Sequence, residues 1–367
     1  MGDENIVHII GTGTIGEPLI GLFTHKKKEL GIDEVTFHKR TPLYSDRSKV
    51  TDLIRRGAQL ATDNDRRDTF DELDMPVTYE TEEAIERASV VIDCTPKGVG
   101  HANKAQFYEK HAANTKGFIA QGSEFGFGVP YCRGINDDQL TKDEQFVQIV
   151  SCNTHALAAL IHTVALDNGN RKDKALGAGR FICMRRANDI SQDGSFVPSP
   201  QVGEHKDGRF GTHHARDVYH LFKTMGQEFD LFSTAIKVPT QYMHTVSFNF
   251  RMNEKVAVDD ILASIDANPY VANTYKVTAN SVFSFGRDHG YYGRILNQAV
   301  IPHKTVHVSE DGKEVWGYAF TPQDGNSLLS SVAATVNFLY PGEVDEKLKP
   351  FEPFLFAEVS GWGPGGG

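Results

Sequence analysis

The sequence is poor in cysteine and contains no long apolar run. Its cysteines are scattered, with no Cys-x-x-Cys pair and no His/Cys cluster at zinc-binding spacing: Cys94, Cys132, Cys152 and Cys183. We therefore expect neither disulfides nor a metal, and each thiol is either an inert core residue or a reactive group. No apolar run approaches membrane-spanning length, and the N-terminus lacks the basic-then-apolar order of a signal peptide. These absences predict a cytoplasmic protein.

Basic residues are also in short supply. The 38 lysines and arginines are outnumbered by 48 acidic residues, which gives a net charge of -10. Such a chain repels nucleic acid and anionic membranes unless its basic groups cluster, so we expect a small-molecule partner and neither of those two. The length of 367 residues, with 40% hydrophobic and 23% charged residues, is ordinary for a globular protein of two domains.

Strand-like and helical patterns alternate in the first part of the chain. The apolar run 6–10 is broken by Gly11, and a helical pattern follows over 17–30. Further strand-like runs lie at 35–38, 89–94, 118–121 and 146–151. This alternation predicts an α/β domain with a parallel sheet.

The character of the sequence changes after about residue 165, where β-rich runs alternate with loops. These runs, at 180–184, 234–239 and 245–251, predict a C-terminal α+β domain with a mixed or antiparallel sheet, and 327–339 is typical of a late helix. We assign 1–151 with 326–345 to the first domain, 152–325 to the second domain, and 346–367 to a C-terminal tail that ends in a linker-like glycine-rich stretch.

The turn after the first strand matches the pattern G-x-G-x-x-G, with the residues Gly11, Thr12, Gly13, Thr14, Ile15 and Gly16. The first glycine would make the tight turn, the second would let the backbone approach a pyrophosphate, and the third would let helix and strand pack closely. The helix N-terminus would hold the negative charge. Although glycine turns are common, the placement between strand and helix predicts that the first domain is a Rossmann dinucleotide-binding domain.

The second strand ends in His38-Lys39-Arg40, where a site that prefers NAD usually has Asp or Glu. Lys39 and Arg40 favour the 2′-phosphate of NADP, although they could equally be solvated loop charges. We predict NADP as the cofactor, with NAD possible.

Cys152 lies between a buried strand and the start of a helical pattern. At a helix start the helix dipole lowers the pKa of a thiol, which would make Cys152 a good nucleophile. Local sequence leaves a second interpretation open, in which Cys152 packs as a small apolar residue.

Seven ordered segments show a wider resemblance. They are the glycine turn, Asp93-Cys94-Thr95-Pro96-Lys97, Gln121-Gly122-Ser123-Glu124, Val150-Ser151-Cys152-Asn153-Thr154, Met184-Arg185-Arg186-Ala187, His213-His214, and Val238-Pro239-Thr240-Gln241-Tyr242-Met243-His244. In order and rough spacing, over nearly the whole chain, the sequence resembles the archaeal-type (type II) glyceraldehyde-3-phosphate dehydrogenases.

This resemblance implies a set of site residues. Cys152 would be the nucleophile and His244 the base, and the Cys152 N–H with His244 could stabilise the oxyanion. Without the resemblance, His244 would be read as a packed or surface histidine. The remaining implied residues bind substrate and phosphate, namely Asn153, Thr154, Arg185, Arg186, His213 and His214, or the cofactor, namely Thr95, Pro96, Gln121 and Gly122. Arg185 and Arg186 could instead be a solvated strand end, and we add His155 to the substrate-binding residues although it departs from the family. The resemblance also implies a homotetramer.

The chain departs from the family next to the nucleophile. Family members usually continue Ser-Cys-Asn-Thr with Thr-Gly-Leu, whereas this chain has His155-Ala156-Leu157. His155 could contact the thiol or the acyl acceptor, or could be structural. Arg216 adds a cation beside the expected phosphate pocket, and the family's later Trp-Arg-Glu-Ser-like run is unrecognisable within 293–307.

Three functions follow. The first is oxidation of glyceraldehyde 3-phosphate with inorganic phosphate as acyl acceptor, through a thioester on Cys152. The second keeps the thioester but changes the reaction partner, giving an NADPH-dependent acyl-CoA reductase of the malonyl-CoA or succinyl-CoA type, or a dehydrogenase of another phosphorylated or acidic aldehyde. The third is a nucleotide-binding paralogue without catalysis.

Overall fold

The computed structural model describes residues 4–141, 143–189, 192, 194, 196–322 and 324–358. The chain forms two compact units. The first contains the chain up to Pro130, Leu140–Ile149 and Ser330–Glu352, and the second contains Tyr131–Gln139, Val150–Leu329 and the chain from Pro353 onward. Over the described part of the chain, no helix combines the length and the apolar character needed to cross a membrane.

The first sheet is the predicted parallel sheet. Its strands are β1 Ile6–Ile10, β2 Glu34–His38, β3 Gln59–Thr62, β4 Val77–Glu80, β5 Val90–Asp93, β6 Gly117–Ala120, β7 Val129–Tyr131 and β8 Phe146–Ile149. They lie in the order β4-β3-β2-β1-β5-β6-β8-β7, and the pairings from β4 to β8 are parallel. The sheet is accompanied by α1 Gly16–His25, α2 Lys27–Leu30, α3 Arg47–Arg55, α4 Arg67–Glu72, α5 Thr81–Arg87, α6 Val99–Asn103 and α7 Glu109–His111.

Burial and length explain which strands of this sheet could be predicted from the sequence. All five residues of β1 are buried, as a central parallel strand covered on both faces requires. Three strands of this sheet were not predicted. β3 and β4 have only four residues each and include polar side chains, and β7 has three residues and contains a proline. The predicted helix over 17–30 is two helices, because the backbone leaves the helical region at Lys26, with φ -101° and ψ 16°.

The second sheet is mixed, as predicted. Its strands are β9 Leu176–Arg185, β10 Gln201–Val202, β11 Leu231–Lys237, β12 His244–Met252, β13 Val271–Thr274, β14 Ala299–Pro302, β15 His307–Val308 and β16 Glu314–Thr321. The order is β10-β11-β9-β12-β16-β14-β13, with β15 on β16. The remaining helices are α8 Cys152–Leu160, α9 His213–Lys223, α10 Val258–Ala267, α11 Ala279–His289, α12 Gly325–Leu339 and α13 Val344–Leu348.

One face of the second sheet packs against α8. Alternate residues of β12 are buried, the period expected of a strand with one covered face. Helix α8 is buried from Asn153 to Leu160 and belongs to a core cluster that includes Val246 and Phe248 of β12. The start of α8, where Cys152 lies, is therefore held by packing along the whole helix.

The segment predicted as a C-terminal tail has regular structure in its first part. Helix α13 is followed by a 3₁₀ segment, Lys349–Phe354, and Phe351 and Phe356 are buried. The glycine-rich end, 360–367, lies outside the described residues.

Candidate nucleotide and thiol sites

The three glycines of the turn after β1 have the geometry that a dinucleotide fingerprint requires. Gly11 has a φ of +98°, and its N–H donates to the His38 carbonyl at 3.1 Å. A Cβ on Gly16 would lie 2.0 Å from the Gly11 carbonyl oxygen, so only glycine allows α1 to pack this closely. A Cβ on Gly13 would have no neighbour within 4 Å, which leaves space for a ligand at that backbone. Turn and helix start thus fit a pyrophosphate.

The residues between these glycines belong to the same loop. Thr12 and Thr14 are buried, and Ile15 precedes α1 at its N-cap position without a side-chain cap hydrogen bond. The positive end of the α1 dipole therefore lacks a capping side chain from its own N-cap residue.

The predicted cofactor residues Thr95 and Pro96 follow β5 in a loop anchored by Asp93. The buried Asp93 carboxylate accepts hydrogen bonds from the Thr95 N–H at 2.9 Å and from the Thr95 hydroxyl. It also accepts from Asn103 Nδ2 at 2.8 Å and from the Tyr108 hydroxyl at 2.6 Å. The aspartate of the Asp-Cys-Thr-Pro-Lys segment, Asp93, thus anchors the loop that carries Thr95 and Pro96.

Gln121 and Gly122 follow β6, the next strand of the sheet. Gln121 Nε2 donates to Ser331 Oγ at 3.0 Å, while its buried Oε1 has no hydrogen-bond partner. The buried Glu124 carboxylate accepts from the Gly98 and His101 N–H groups at the start of α6. The free Gln121 oxygen is an acceptor at the carboxyl edge of the sheet, where ligands of α/β folds bind.

Lys39 and Arg40, the predicted 2′-phosphate residues, differ in their surroundings. Lys39 is buried and its Nζ donates to Asp46 Oδ2 at 2.5 Å, whereas Arg40 is exposed. Burial alone would raise the pKa of Asp46, but the hydrogen bond and charge of Lys39, with Lys49, hold that pKa below its ordinary value. Lys39 thus already has an anionic partner within the protein.

Cys152 is the first residue of α8, and Ser151 caps the helix. The Ser151 Oγ accepts from the Thr154 N–H at 3.3 Å and shares a hydrogen bond with the Thr154 hydroxyl at 2.7 Å. This serine N-cap explains why the strand gives way to a helix at this point. The Cys152 carbonyl accepts from Asn326 Nδ2 at 3.0 Å.

The expectation that the helix start lowers the thiol pKa is wrong for this structure. Burial, and then the charge of Asp324, raise the pKa of Cys152 to about 12, although Arg186 acts in the opposite direction. Cys152 is only half-buried, yet the desolvation of its thiol outweighs the lowering effect of the Asn153 N–H at the helix start. Cys152 is therefore a neutral thiol whose activation requires a change in its electrostatic surroundings.

His244 begins β12, and its ring is bonded to the backbone of the neighbouring strand end. The Arg186 N–H donates to His244 Nδ1 at 3.0 Å, so a neutral imidazole must carry its proton on Nε2. Burial, and then the charges of Arg186 and Arg185, lower the pKa of His244 to about 3. His244 is therefore a neutral ring with a hydrogen-bond donor at Nε2.

Two indirect links relate Cys152 to His244. Thr321 pairs with His244 across β16 and β12, and its hydroxyl donates to Asn153 Oδ1 at 3.3 Å, one residue from Cys152. Arg186 bonds to His244 through its amide and acts on the Cys152 thiol through its charge. The start of α8 and the start of β12 are thus linked through Asn153 and Thr321.

The residues after Cys152 have structural partners. Asn153 is bonded to Thr321, and the Thr154 hydroxyl to Ser151. His155 is fully buried, its Nδ1 lies 3.0 Å from the Ser151 carbonyl one turn earlier, and burial lowers its pKa to about 4. These contacts favour the structural interpretation of His155 that the sequence left open.

The predicted anion-binding residues divide into buried and exposed members. Arg186 is buried, with Nη2 3.4 Å from Asp189 Oδ1, whereas Arg185 is exposed. His213 is exposed and its ring lies 4.0 Å from that of His214, which is buried with no hydrogen-bond partner on either nitrogen. Arg216, the additional cation, bonds to the adjacent Asp217 through two N–H groups, at 2.9 and 2.7 Å.

Sequence patterns missed Asp324, which comes directly before α12. It is buried, has a left-handed φ of +67°, and its Oδ2 lies 3.6 Å from Arg294 Nη2. Burial raises its pKa to about 6, against the lowering effect of Arg294 and Arg186. The one sequence signal was an Asp-Gly-Asn triplet before a helical run, which predicts a cap and says nothing about the thiol.

Metal binding has no candidate among the described residues, since no group of three His, Cys, Asp or Glu side chains is placed to hold an ion. The four cysteines are free thiols, and Cys132 and Cys183 are buried.

Comparison with known proteins supports the resemblance, although no family profile matches the chain. The chain is 29% identical over 229 residues to glyceraldehyde-3-phosphate dehydrogenase 1 of Methanosarcina barkeri, covering 60% of this chain and 62% of that relative. It is 31% identical over 201 residues to glyceraldehyde-3-phosphate dehydrogenase 2 of Methanosarcina acetivorans, covering 53% of each. The enzyme of that name from Methanopyrus kandleri is 27% identical over 330 residues, 85% of each chain.

In sequence, this chain is similar to the glyceraldehyde-3-phosphate dehydrogenases of several archaea. The resemblance predicted from the ordered motifs is thereby confirmed. The chain spans 62% and 53% of the lengths of the two Methanosarcina relatives.

Proposed function

We propose that this protein oxidises glyceraldehyde 3-phosphate with a nicotinamide dinucleotide, through a thioester on Cys152, and releases the acyl group to inorganic phosphate. The observation that carries the proposal is the joint placement of Cys152 and His244, linked through Asn153 and Thr321 and both influenced by Arg186. The names of the relatives supply the substrate.

The first unit fits a dinucleotide. The space at Gly13, the close packing at Gly16 and the free Gln121 oxygen support contacts with a pyrophosphate and a carboxamide. Lys39 and Arg40 support NADP, with NAD also accepted. The bound cofactor would supply the hydride acceptor, and the protein residues described below supply the remaining chemistry.

Formation of the covalent intermediate requires the thiolate. The Cys152 thiol first loses its proton to solvent, and the sulfur then forms a bond with the aldehyde carbon while the carbonyl electrons move to oxygen. Arg186 favours the thiolate through its positive charge. An anionic substrate near Arg186 would weaken that effect, so we place the substrate phosphate nearer the exposed Arg185 and His213.

The tautomer of His244 determines its role. Because Nδ1 accepts the Arg186 N–H, Nε2 is a donor and suits the developing oxyanion better than the thiol proton. The Cys152 N–H, at the first position of α8, would be a second donor, since the first N–H groups of a helix have no partner within it. Hydride leaves the carbon of the thiohemiacetal, the C=O bond re-forms, and the thioester remains.

The turn after Cys152 bears on the identity of the acyl acceptor. The Thr154 hydroxyl is bonded to Ser151, and His155 and Ala156 are fully buried, so this turn offers no free hydroxyl to a phosphate. This observation favours a second candidate, in which the same thioester exchanges with coenzyme A and the enzyme reduces an acyl-CoA such as malonyl-CoA or succinyl-CoA.

Steady-state kinetics distinguish the candidates. We expect reduced dinucleotide to form from glyceraldehyde 3-phosphate at a rate that rises with inorganic phosphate and saturates. A rate that is indifferent to phosphate, together with oxidation of NADPH by malonyl-CoA or succinyl-CoA, would replace the first candidate with the second. No turnover in either assay, with the dinucleotide still bound, would favour the non-catalytic paralogue.

We also propose a homotetramer, on the resemblance alone. Light scattering coupled to size-exclusion chromatography should give four times the mass of 40.6 kDa. A monomeric mass would contradict this assembly.

A further inference from the structure

We propose that Asp46 sets the choice between NAD and NADP, by acting as an internal anion at the position where the 2′-phosphate of NADP would bind. This inference rests on the proposed dinucleotide site of the first unit. It assigns a role to a residue outside the glycine turn and outside the Lys39–Arg40 pair.

Asp46 lies at the point where ribose recognition is expected. In Rossmann folds the residue at the end of the second strand contacts the ribose hydroxyls, and a carboxylate there is typical of sites for NAD. β2 ends at His38 without an acidic residue. The chain then returns through the 3₁₀ segment Tyr44–Asp46. The carboxylate at its end, that of Asp46, has its Oδ2 2.5 Å from Lys39 Nζ. Tertiary structure thus supplies the carboxylate that the strand end lacks.

A second lysine connects Asp46 to the glycine turn. Lys49, in the first turn of α3, has its Nζ 3.6 Å from Asp46 Oδ1, and this Nζ donates to the Thr12 carbonyl at 3.3 Å. It also lies 3.7 Å from Glu17 Oε2 at the start of α1. The Asp46 carboxylate is therefore held between two ammonium groups, and one of them contacts the loop that would bind the pyrophosphate.

Electrostatics then decide between the two cofactors. A 2′-phosphate carries between about one and a half and two negative charges and needs cations that are not already neutralised. Lys39 and Lys49 both have internal carboxylate partners, so a 2′-phosphate must displace Asp46 or accept its repulsion. A 2′-hydroxyl can instead donate a hydrogen bond to Asp46. Asp46 therefore limits the preference for NADP that Lys39 and Arg40 would otherwise give.

Isothermal titration of the full-length protein with two nucleotide fragments tests this role without any turnover. The ligands are adenosine 2′,5′-bisphosphate and adenosine 5′-monophosphate, and the proteins are wild type, Asp46→Asn and Asp52→Asn. Asp52 lies on α3 in an exposed pair with Arg56, so its substitution makes the same charge change away from the site. We expect Asp46→Asn to shift the affinity ratio toward the bisphosphate by about tenfold at low salt, and less at high salt. Asp52→Asn should leave the ratio within about twofold of wild type.

A variant that should shift the affinity ratio in the opposite direction keeps the test informative if Asp46→Asn folds poorly. Lys39→Met should shift the ratio toward the monophosphate, because it leaves Asp46 without its closest cation. An unchanged ratio in Asp46→Asn, or a shift as large in Asp52→Asn, would overturn the role of Asp46 and leave the nucleotide site intact. Failure of wild type to bind either fragment would overturn the nucleotide site itself, and this inference with it.

Discussion

The glycine turn of the first unit, residues 11–16, and the Cys152 centre of the second unit, formed by residues 151–155 and His244, differ in how many of their polar groups already have partners within the protein. At the turn, Gly13 has open space beside it and α1 has no capping side chain. At the Cys152 centre, Ser151, Thr154 and His155 bond to one another, and burial keeps both the thiol and His244 neutral.

This difference teaches how each site depends on the sequence. The turn is defined by backbone conformation and close packing over six consecutive residues, so a local motif is sufficient to specify it. The reactivity of Cys152 depends instead on Asp324 and Arg186, which are distant in sequence and act through charge in a medium that screens poorly. A substitution at the turn should change binding, whereas one around Cys152 should change a protonation equilibrium.

The largest effect should come from Cys152→Ser. Removing the nucleophile should lower the rate of dinucleotide reduction by roughly a thousandfold or more, because a serine hydroxyl cannot replace the thiolate. Cys132→Ser is the matched control, since burial also raises the pKa of Cys132 and this residue lies outside the helices. Stopped-flow or steady-state absorbance measures both variants. Equal losses in the two would mean that packing, and not nucleophilicity, explains the effect.

Two alanine substitutions separate packing from binding in the glycine turn. Gly16→Ala should lower the melting temperature as well as nucleotide affinity, because its Cβ meets the Gly11 carbonyl oxygen at 2.0 Å. Gly13→Ala should leave the melting temperature unchanged but weaken dinucleotide binding by about tenfold, since the new methyl group occupies space that the pyrophosphate needs. Calorimetry measures both quantities. Unchanged affinity in Gly13→Ala would place the pyrophosphate elsewhere.

Asp324→Asn should activate the thiol. The negative charge of Asp324 raises the pKa of Cys152, so its removal should lower that pKa and let alkylation by iodoacetamide begin at lower pH. Asp189→Asn, whose charge acts on the same thiol but more weakly, should give a smaller shift in the same direction. Mass spectrometry of the modified peptide gives the rate for Cys152 alone. A shift to higher pH in Asp324→Asn would reverse the assigned role of this carboxylate.

We expect the smallest effect, on the pH dependence of stability, from substituting two buried histidines, one in each unit. Burial lowers the pKa of His8 to about 3 and that of His155 to about 4, below the value of about 6.5 in an unfolded chain. Below pH 6.5 the unfolded state binds more protons than the folded state, so the free energy of unfolding decreases as the pH is lowered from about 6.5 toward the folded pKa of each histidine. Urea denaturation of His8→Gln and His155→Gln should show a shallower dependence, whereas the exposed His307→Gln should match wild type. No change in either buried variant would contradict neutral burial.

Sequence reasoning succeeded where one segment determines its own structure. The parallel strands, the mixed second sheet and the glycine turn follow from apolar runs, alternation and glycine spacing. It failed for β3 and β4, which are short and partly polar, for β7, which has three residues and contains a proline, and for the break at Lys26.

For the candidate site, the motifs identified residues but not their charge states. The local pattern at Cys152 predicted a lowered pKa, whereas its surroundings raise it. Asp46 and Asp324 were missed because each acquires its importance from partners outside its own segment, Lys39 in one case and Arg294 in the other.

The central claim, a thioester on Cys152, can be tested directly by trapping it. The protein is mixed with glyceraldehyde 3-phosphate and oxidised dinucleotide without any phosphate or coenzyme A, quenched in acid, and analysed by intact-mass and peptide mass spectrometry. We predict one acyl adduct per chain, on the peptide containing Cys152, which disappears when the acceptor is added and is absent from Cys152→Ser. An adduct on Cys94, Cys132 or Cys183, or reduced dinucleotide formed without any adduct, would contradict the account.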